Sequence, residues 1–141
     1  MRYCKTGDLY GIKKIIKTHK INIHVNHEEG FRWACCNGHL SIVEYLINLY
    51  KNDNKYAIIN IHIDNEHGFR WACYNGRLPI VKYLINLYKI NPDYDIINIH
   101  ANNEYGFQWA CKNGHKYIIK YLLSIGTHVL RIYNVKNIIL F

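Results

Sequence analysis

One short element recurs along this 141-residue chain at a constant spacing of 38 residues. It reads Gly-Phe-Arg-Trp-Ala-Cys, with Gln for Arg in the last copy, and it occupies Gly30–Cys35, Gly68–Cys73 and Gly106–Cys111. Around it, residues 22–50 are identical to residues 60–88 at 21 of 29 positions. A fixed period of this length is typical of solenoids, in which each unit buries its apolar face against its neighbours. The sequence therefore predicts a repeat array.

Each unit has the pattern of two short helices joined by a tight turn. Phe31 and Ala34 lie on one face of a first helix, and Ala34 offers a small side chain where adjacent units approach. Asn37–Gly38 ends this helix, because both residues accept the left-handed backbone of a turn. Pro79 fits only the first turn of a helix, so the second helix of that unit starts near Leu78. The predicted fold class is an all-α solenoid.

The repeats divide the chain into units of unequal length within one domain that spans residues 1–141. The two middle units are seven residues longer than the others, which predicts insertions in the outer loop after the second helix. We predict a shortened unit, three full units and an apolar C-terminal cap, at about residues 1–21, 22–59, 60–97, 98–128 and 129–141.

The pattern of the units resembles that of the ankyrin-repeat family. The match is carried by Ala34–Cys35, Asn37–Leu40, Ile42–Val43, Tyr45–Ile47 and their later counterparts. The resemblance implies helix-turn-helix units with β-turn fingers, and a non-catalytic protein–protein interaction module that binds through the fingers and the concave first-helix surface. The family's Thr-Pro-Leu-His is replaced by Glu29–Arg32, so its hydrogen-bond network is expected to be missing or altered.

Composition and sequence style indicate where such a chain acts. The excess of Ile, Asn, Lys and Tyr, with the recurring element, is similar to ankyrin proteins of large DNA viruses that infect amoebae, which implies the host cytoplasm. No apolar segment follows Met1–Lys5, and no run approaches the roughly 18 apolar residues of a membrane span, so neither a signal peptide nor a membrane segment is expected. Five cysteines, an odd number, favour a reducing compartment over disulfides.

Residues with metal-binding or catalytic chemistry recur once per unit. Equivalent positions of stacked units lie roughly 10 Å apart, too far for one ion. No glycine-rich phosphate loop or nucleophile motif occurs, and the recurring glutamates have no identifiable acid–base partner. The sequence therefore predicts no metal, no cofactor and no enzyme; the recurring residues are His24, His62, His100, Cys35, Cys73, Cys111, Glu28, Glu66 and Glu104.

Trp33, Trp71 and Trp109 form a column at the spacing of the repeat. Packing in the core or between helices is the default interpretation, because large aromatic side chains dominate core energetics. The alternative is a partly exposed strip on the concave face, where the rings would anchor a partner.

The net charge of +8 sits at the two ends of the array. Residues 1–21 hold six basic and one acidic residue, and residues 98–141 hold five basic and one acidic residue, whereas the middle units are almost neutral. Lys13, Lys17 and Lys20, with Lys14 beside them, form a basic stripe. A terminal unit has only one neighbour, so its outer face meets solvent and must be polar, which explains the excess charge at the ends. Nucleic-acid binding through phosphate contacts is the alternative.

Positions that differ between units are the candidates for partner contact, because positions that serve the fold repeat. Neutral drift on a solvated surface is the competing explanation for any one of them. The predicted contact residues are Asn26, His27, Glu29, Arg32, Cys36, Asp64, Asn65, His67, Arg70, Tyr74, Asn102, Tyr105, Gln108 and Lys112.

The predicted function is thus recognition of another protein by a repeat array. Two alternatives stay open at this point. One is nucleic-acid binding through the basic terminal units, and the other is a truncated copy of a longer ankyrin protein without an independent role, since Met1 falls within the first helix of the opening unit.

Overall fold

The computed structural model describes residues 2–19, 21–53 and 55–126. These residues form eight α-helices and no β-strand. The predicted cap, residues 129–141, the end of the last predicted unit and Lys20 of the basic stripe lie outside the described residues. The helices are α1 Arg2–Thr6, α2 Leu9–Thr18, α3 Val25–Asn37, α4 Leu40–Asn52, α5 Ile63–Tyr74, α6 Leu78–Ile90, α7 Ala101–Lys112 and α8 Lys116–Ile125.

The helices pack in two layers. The first helices of successive units, α1, α3, α5 and α7, lie side by side in one layer, and each also packs against the second helix of its own unit. The second helices α4, α6 and α8 form the other layer, in which neighbours also contact each other. The all-α solenoid predicted from the period is confirmed.

Turn chemistry sets the ends of the helices where the sequence predicts them. Gly38, Gly76 and Gly114 follow the first helices with φ of 83°, 71° and 71°, in the left-handed region that glycine reaches without strain. The helix α6 starts at Leu78 with Pro79 in its first turn, as predicted.

The core is a ladder of equivalent side chains between the two layers. Phe31, Phe69 and Phe107 are its largest buried side chains, and each packs beside a buried alanine three residues later in the chain. A Cβ placed on Gly68 would lie 2.8 Å from the ring of Phe31. The Gly-Phe pair of the recurring element thus lets adjacent first helices approach closely, because the ring of one unit fills the space above the glycine of the next.

The insertions of the two middle units fold back over the preceding unit. Tyr56 donates a hydrogen bond to Ile16 O at 3.2 Å, and Tyr94, which is buried, donates one to Ile47 O at 3.0 Å. Burial raises the pKa of Tyr94, and its ring meets Tyr50 edge-on at 6.3 Å. The longer loops therefore cover the second-helix layer rather than extend from it.

Replacement of Gly68 by Ala tests the close approach of α3 and α5. Helix propensity alone would make this change stabilising by about 1 kcal/mol. We expect instead a loss of about 1–3 kcal/mol in the free energy of unfolding, because the new methyl group overlaps the Phe31 ring. Chemical denaturation measures it, with Ser41→Ala on an exposed helix position as the control. A more stable Gly68→Ala variant would contradict the packing described here.

Candidate partner-binding face

A one-turn left-handed segment lies at the start of α3, α5 and α7, directly after the first residue of each helix. Asp64, Asn65 and Glu66 have φ of 50°, 54° and 63°, and the corresponding residues of the other two units adopt the same conformation. Three successive left-handed residues without glycine are costly, at roughly 1–2 kcal/mol each, although Asn and Asp tolerate the conformation better than others. The surrounding contacts must therefore hold this backbone in place. The equivalent residues are Asn26, His27, Glu28, Asn102, Asn103 and Glu104.

The side chain at the third position of the recurring element stabilises this left-handed turn. Arg70 donates from Nε to Asn65 O at 2.7 Å and from Nη2 to Asp64 O at 2.8 Å. Arg32 donates from Nη2 to Asn26 O at 2.7 Å, and Gln108 makes the corresponding bond to its own turn. Substitution of Arg by Gln in the last copy therefore keeps the same backbone contact.

Each glutamate of the left-handed turn is paired with a histidine, contrary to the prediction that it has no acid–base partner. His62 Nδ1 lies 2.8 Å from Oε1 of Glu66, whose side chain is only 6% exposed. The same oxygen accepts a hydrogen bond from Asn98 N of the next unit at 3.1 Å. The prediction was wrong because the left-handed turn brings together two side chains that are four residues apart in sequence.

The same contacts recur in the neighbouring units. Glu28 pairs with His24 at 2.8 Å and accepts from Asn60 N at 3.1 Å, and His100 pairs with Glu104. This pairing is the altered network expected from the loss of the family's Thr-Pro-Leu-His. Through Glu28 and Glu66 it links the turn of one unit to the backbone of the next.

These turns and the exposed side of α3, α5 and α7 make up the first-helix face. Most of the predicted contact residues are accessible on it. His27, Asn65 and Asn102 lie on the exposed turns, and Lys112 at the end of α7. Arg70 is the exception, since it is only 8% exposed and its guanidinium binds the backbone of its own turn.

Neighbouring turns on this face are linked through charged groups. Arg32 Nη1 lies 3.3 Å from Asp64 Oδ2, and His27 Nδ1 lies 3.8 Å from the other oxygen of Asp64. Asn26 donates to Glu29 at 3.0 Å, and this hydrogen bond is the main cause that lowers the pKa of Glu29. Polar contacts therefore connect five predicted contact residues of the two middle units: Asn26, His27, Glu29, Arg32 and Asp64.

The tryptophans line the same face. Trp71 and Trp109 pack against each other between helices, with ring centroids 5.8 Å apart, as the default interpretation expected. They are not core residues, however: Trp33 is 37% exposed, and the other two are half-buried. The alternative, a partly exposed strip, is thus the better description of their position.

Further aromatic rings extend this strip. Tyr74 contacts Trp71 at 5.2 Å and Trp109 at 5.4 Å, and Tyr105 lies 5.4 Å from Trp109. His67 stacks on Trp71 at 5.8 Å. Burial, followed by the nearby Arg32 and Arg70, lowers the pKa of His67, so its imidazole is neutral at pH 7. We call Trp33, His67, Trp71, Tyr74, Tyr105 and Trp109 the aromatic strip.

A cavity of about 380 Å³ opens in the strip between α3 and α5. Five of its seven lining residues are among the predicted contact residues, and the other two are the tryptophans that form its walls. Burial raises the pKa of the Cys36 thiol at its base. The lining residues are Asn26, Glu29, Arg32, Trp33, Cys36, His67 and Trp71.

The remaining candidate chemistry is dispersed. Residues 2–19, 21–53 and 55–126 bring no group of three or more His, Cys, Asp or Glu together as a metal site. All five cysteines are free, and burial raises the pKa of Cys4 to about 11. Lys13, Lys14 and Lys17 lie exposed on α2, away from the aromatic strip. Within the described part of the chain, no helix is long and apolar enough to cross a membrane.

Removal of the Glu66 carboxylate tests the link between units. Glu66→Ala leaves the Asn98 N–H without its acceptor in this part-buried contact and His62 without its partner, so we expect a loss of about 1–3 kcal/mol in the free energy of unfolding. Thermal and urea unfolding measure it. The control is Asp95→Ala, which removes an exposed carboxylate from a loop and should leave stability unchanged. Equal stability of both variants would show that the carboxylate of Glu66 does not join the units.

Comparison with known proteins agrees with the observed architecture. The model of the family described as ankyrin repeats (three copies) matches residues 1–96 and, in a second match, 69–136. No curated protein is significantly similar to the chain. Among solved structures, an ankyrin repeat family protein from Legionella pneumophila is similar, with 28% sequence identity and a TM-score of 0.69 over 86% of this chain. The chain spans 34% of the length of that protein. With the family model matching most of its length, the chain belongs to the ankyrin-repeat family.

Proposed function

We propose that the chain is a non-catalytic recognition module that binds another protein through its first-helix face. Ankyrin repeats generally mediate protein–protein interaction. The observation that carries the proposal is the aromatic strip, which exposes large rings next to charged groups. Trp and Tyr are enriched among the residues that dominate binding energy at interfaces.

The arrangement of the face supports this role. The indole rings rest on closely packed helices, and the turns beside them are fixed by hydrogen bonds to Arg32 and Arg70. A surface whose backbone is already ordered loses little conformational entropy when it binds. The accessible positions Glu29, His67 and Tyr105 also differ from unit to unit, which lets each unit contact a different group of the partner.

Where the chain acts belongs to the same proposal. The Ile, Asn, Lys and Tyr excess and the style of the recurring element support an origin in a large DNA virus that infects amoebae. The partner would then be a protein of the host cytoplasm. Cysteines that are buried and have raised pKa values, such as Cys73, suit a reducing compartment, where such thiols remain free.

A display library of random peptides tests the proposed function. Peptides selected on the wild-type chain should bind the double variant Tyr74→Ala/Tyr105→Ala at least tenfold more weakly, because two exposed rings of the strip are lost. The matched control is Tyr10→Ala/Tyr117→Ala, which removes two rings that are each 77% exposed on the second helices α2 and α8. Titration calorimetry gives the affinities, and circular dichroism checks the fold.

The proposal fails if selected peptides bind both double variants as tightly as the wild-type chain, or if they lose affinity only for the control. Either result would place recognition outside the first-helix face.

Nucleic-acid binding is the second candidate function, favoured by three exposed lysines on one helix, Lys13, Lys14 and Lys17. If it operates, affinity for a DNA or RNA duplex falls steeply with salt, because each phosphate contact releases counterions. The triple variant with Gln at these positions would lose most of that binding. A titration at low salt decides: absence of binding by the wild-type chain excludes this function.

A further inference from the structure

The last turns of the first helices present one side chain toward the tryptophan of the following unit. At the junction of α5 and α7 this side chain is Tyr74, whose ring lies 5.2 Å from Trp71 and 5.4 Å from Trp109. It fills the space between the two indoles. At the junction of α1 and α3 the equivalent residue is Lys5, whose Nζ lies 4.1 Å over the ring of Trp33. Both of these junctions are therefore covered by the chain itself.

The middle junction has a much smaller residue at this position. Cys36 stands where Tyr74 stands one unit later, and its short side chain leaves the cavity of about 380 Å³ between Trp33 and Trp71. The middle junction therefore lacks a large side chain at the position where the next junction has an aromatic ring.

The backbone at the two positions is held in the same way. Arg77 Nε donates to Cys36 O at 3.2 Å, and His115 Nε2 lies 2.8 Å from Tyr74 O. Asn75 donates to Cys36 Sγ at 3.3 Å, and Asn113, its counterpart, donates to Tyr74 O at 3.2 Å. The approach of the first helices is also alike at the two junctions, since a Cβ on Gly68 would lie 2.8 Å from the Phe31 ring and one on Gly106 would lie 2.9 Å from the Phe69 ring.

We propose that this cavity receives an aromatic side chain of the partner, which occupies the place that Tyr74 fills at the next junction. This inference rests on the proposed function and specifies the partner as a protein segment that presents Tyr, Phe or Trp. The indole walls offer the offset and edge-on contacts that aromatic pairs prefer.

A cationic side chain fits the cavity less well. The ammonium group of Lys5 already lies over Trp33, so this cation–π position is taken, and the guanidinium of Arg32 stands in the lining. The carboxylate in the lining, Glu29, accepts a hydrogen bond from Asn26. An aliphatic side chain would fill the space without the ring contacts that Tyr74 makes at the next junction.

Titration with small amides tests the proposal without knowledge of the partner. The probes are N-acetyltyrosinamide, N-acetylleucinamide and N-acetyllysinamide, and the readout is the indole Nε1–H signals of the three tryptophans in ¹H–¹⁵N spectra. The tyrosine amide should shift the signals of Trp33 and Trp71 and leave that of Trp109 in place. The other two amides should bind at least tenfold more weakly. Equal binding of the leucine or lysine amide would overturn the proposal.

Exchange of the two equivalent residues provides matched variants. Cys36→Tyr fills the cavity with the ring that the next unit already accommodates, and it should abolish the response of Trp33 and Trp71. Tyr74→Cys opens a second cavity, so the tyrosine amide should then also shift the signal of Trp109. Undiminished binding by a folded Cys36→Tyr variant contradicts the proposal. If Cys36→Tyr does not fold, the proposal is tested by the relative affinities of the three amides and by the response of Trp109 in Tyr74→Cys.

The selected peptides separate this inference from the function on which it rests. If their binding needs Tyr74 and Tyr105 but is unchanged by Cys36→Tyr, the face recognises proteins and the cavity proposal is wrong. If the peptides bind the Tyr74→Ala/Tyr105→Ala variant as tightly as the wild-type chain, while the tyrosine amide still shifts the signals of Trp33 and Trp71, the cavity binds aromatic groups but the proposed function is wrong.

Discussion

The contact between a phenylalanine ring and the glycine of the next unit determines how closely the first helices stack. Phe31 fills the space above Gly68, and Phe69 does the same above Gly106, where an added Cβ would lie 2.9 Å from the ring. No single unit can bury its apolar face alone, so this contact sets the spacing of α3, α5 and α7. The distance between successive tryptophans on the opposite side of the same helices follows from it.

A second constraint acts at the start of each first helix. The left-handed turn is unfavourable by itself, and it persists because Glu66 binds both His62 and the backbone of the next unit while Arg70 binds the turn. One of these contacts, from Asn98 N to Glu66, comes from the next unit, so the turn has its full set of hydrogen bonds only within the array. The binding surface and the stacking of the units are therefore parts of one structural arrangement.

The period of the sequence was sufficient to predict the fold, because each unit repeats the same turn signals. Pro79 placed the start of α6, and Gly38 the end of α3. The pairing of Glu66 with His62 was missed, since it depends on three left-handed residues that no propensity rule assigns to Asp, Asn and Glu in succession. The exposure of Trp33 was left open, because a column of equivalent residues is compatible with either side of a helix layer.

The sequence indicates the position of the cavity only in part. Cys36, Tyr74 and Lys112 are equivalent residues that vary between units, but variation alone does not show that a small residue leaves a space. That conclusion needed the distances from Tyr74 to the two indoles. The described lysines of the basic stripe, Lys13, Lys14 and Lys17, lie exposed on α2.

Recognition of partners in the aromatic strip can be observed in a crystal structure of the chain with a peptide selected for binding. We expect the peptide to lie along α3 and α5 with an aromatic ring between Trp33 and Trp71. A peptide that lies on α4 and α6, with the cavity empty, would contradict it.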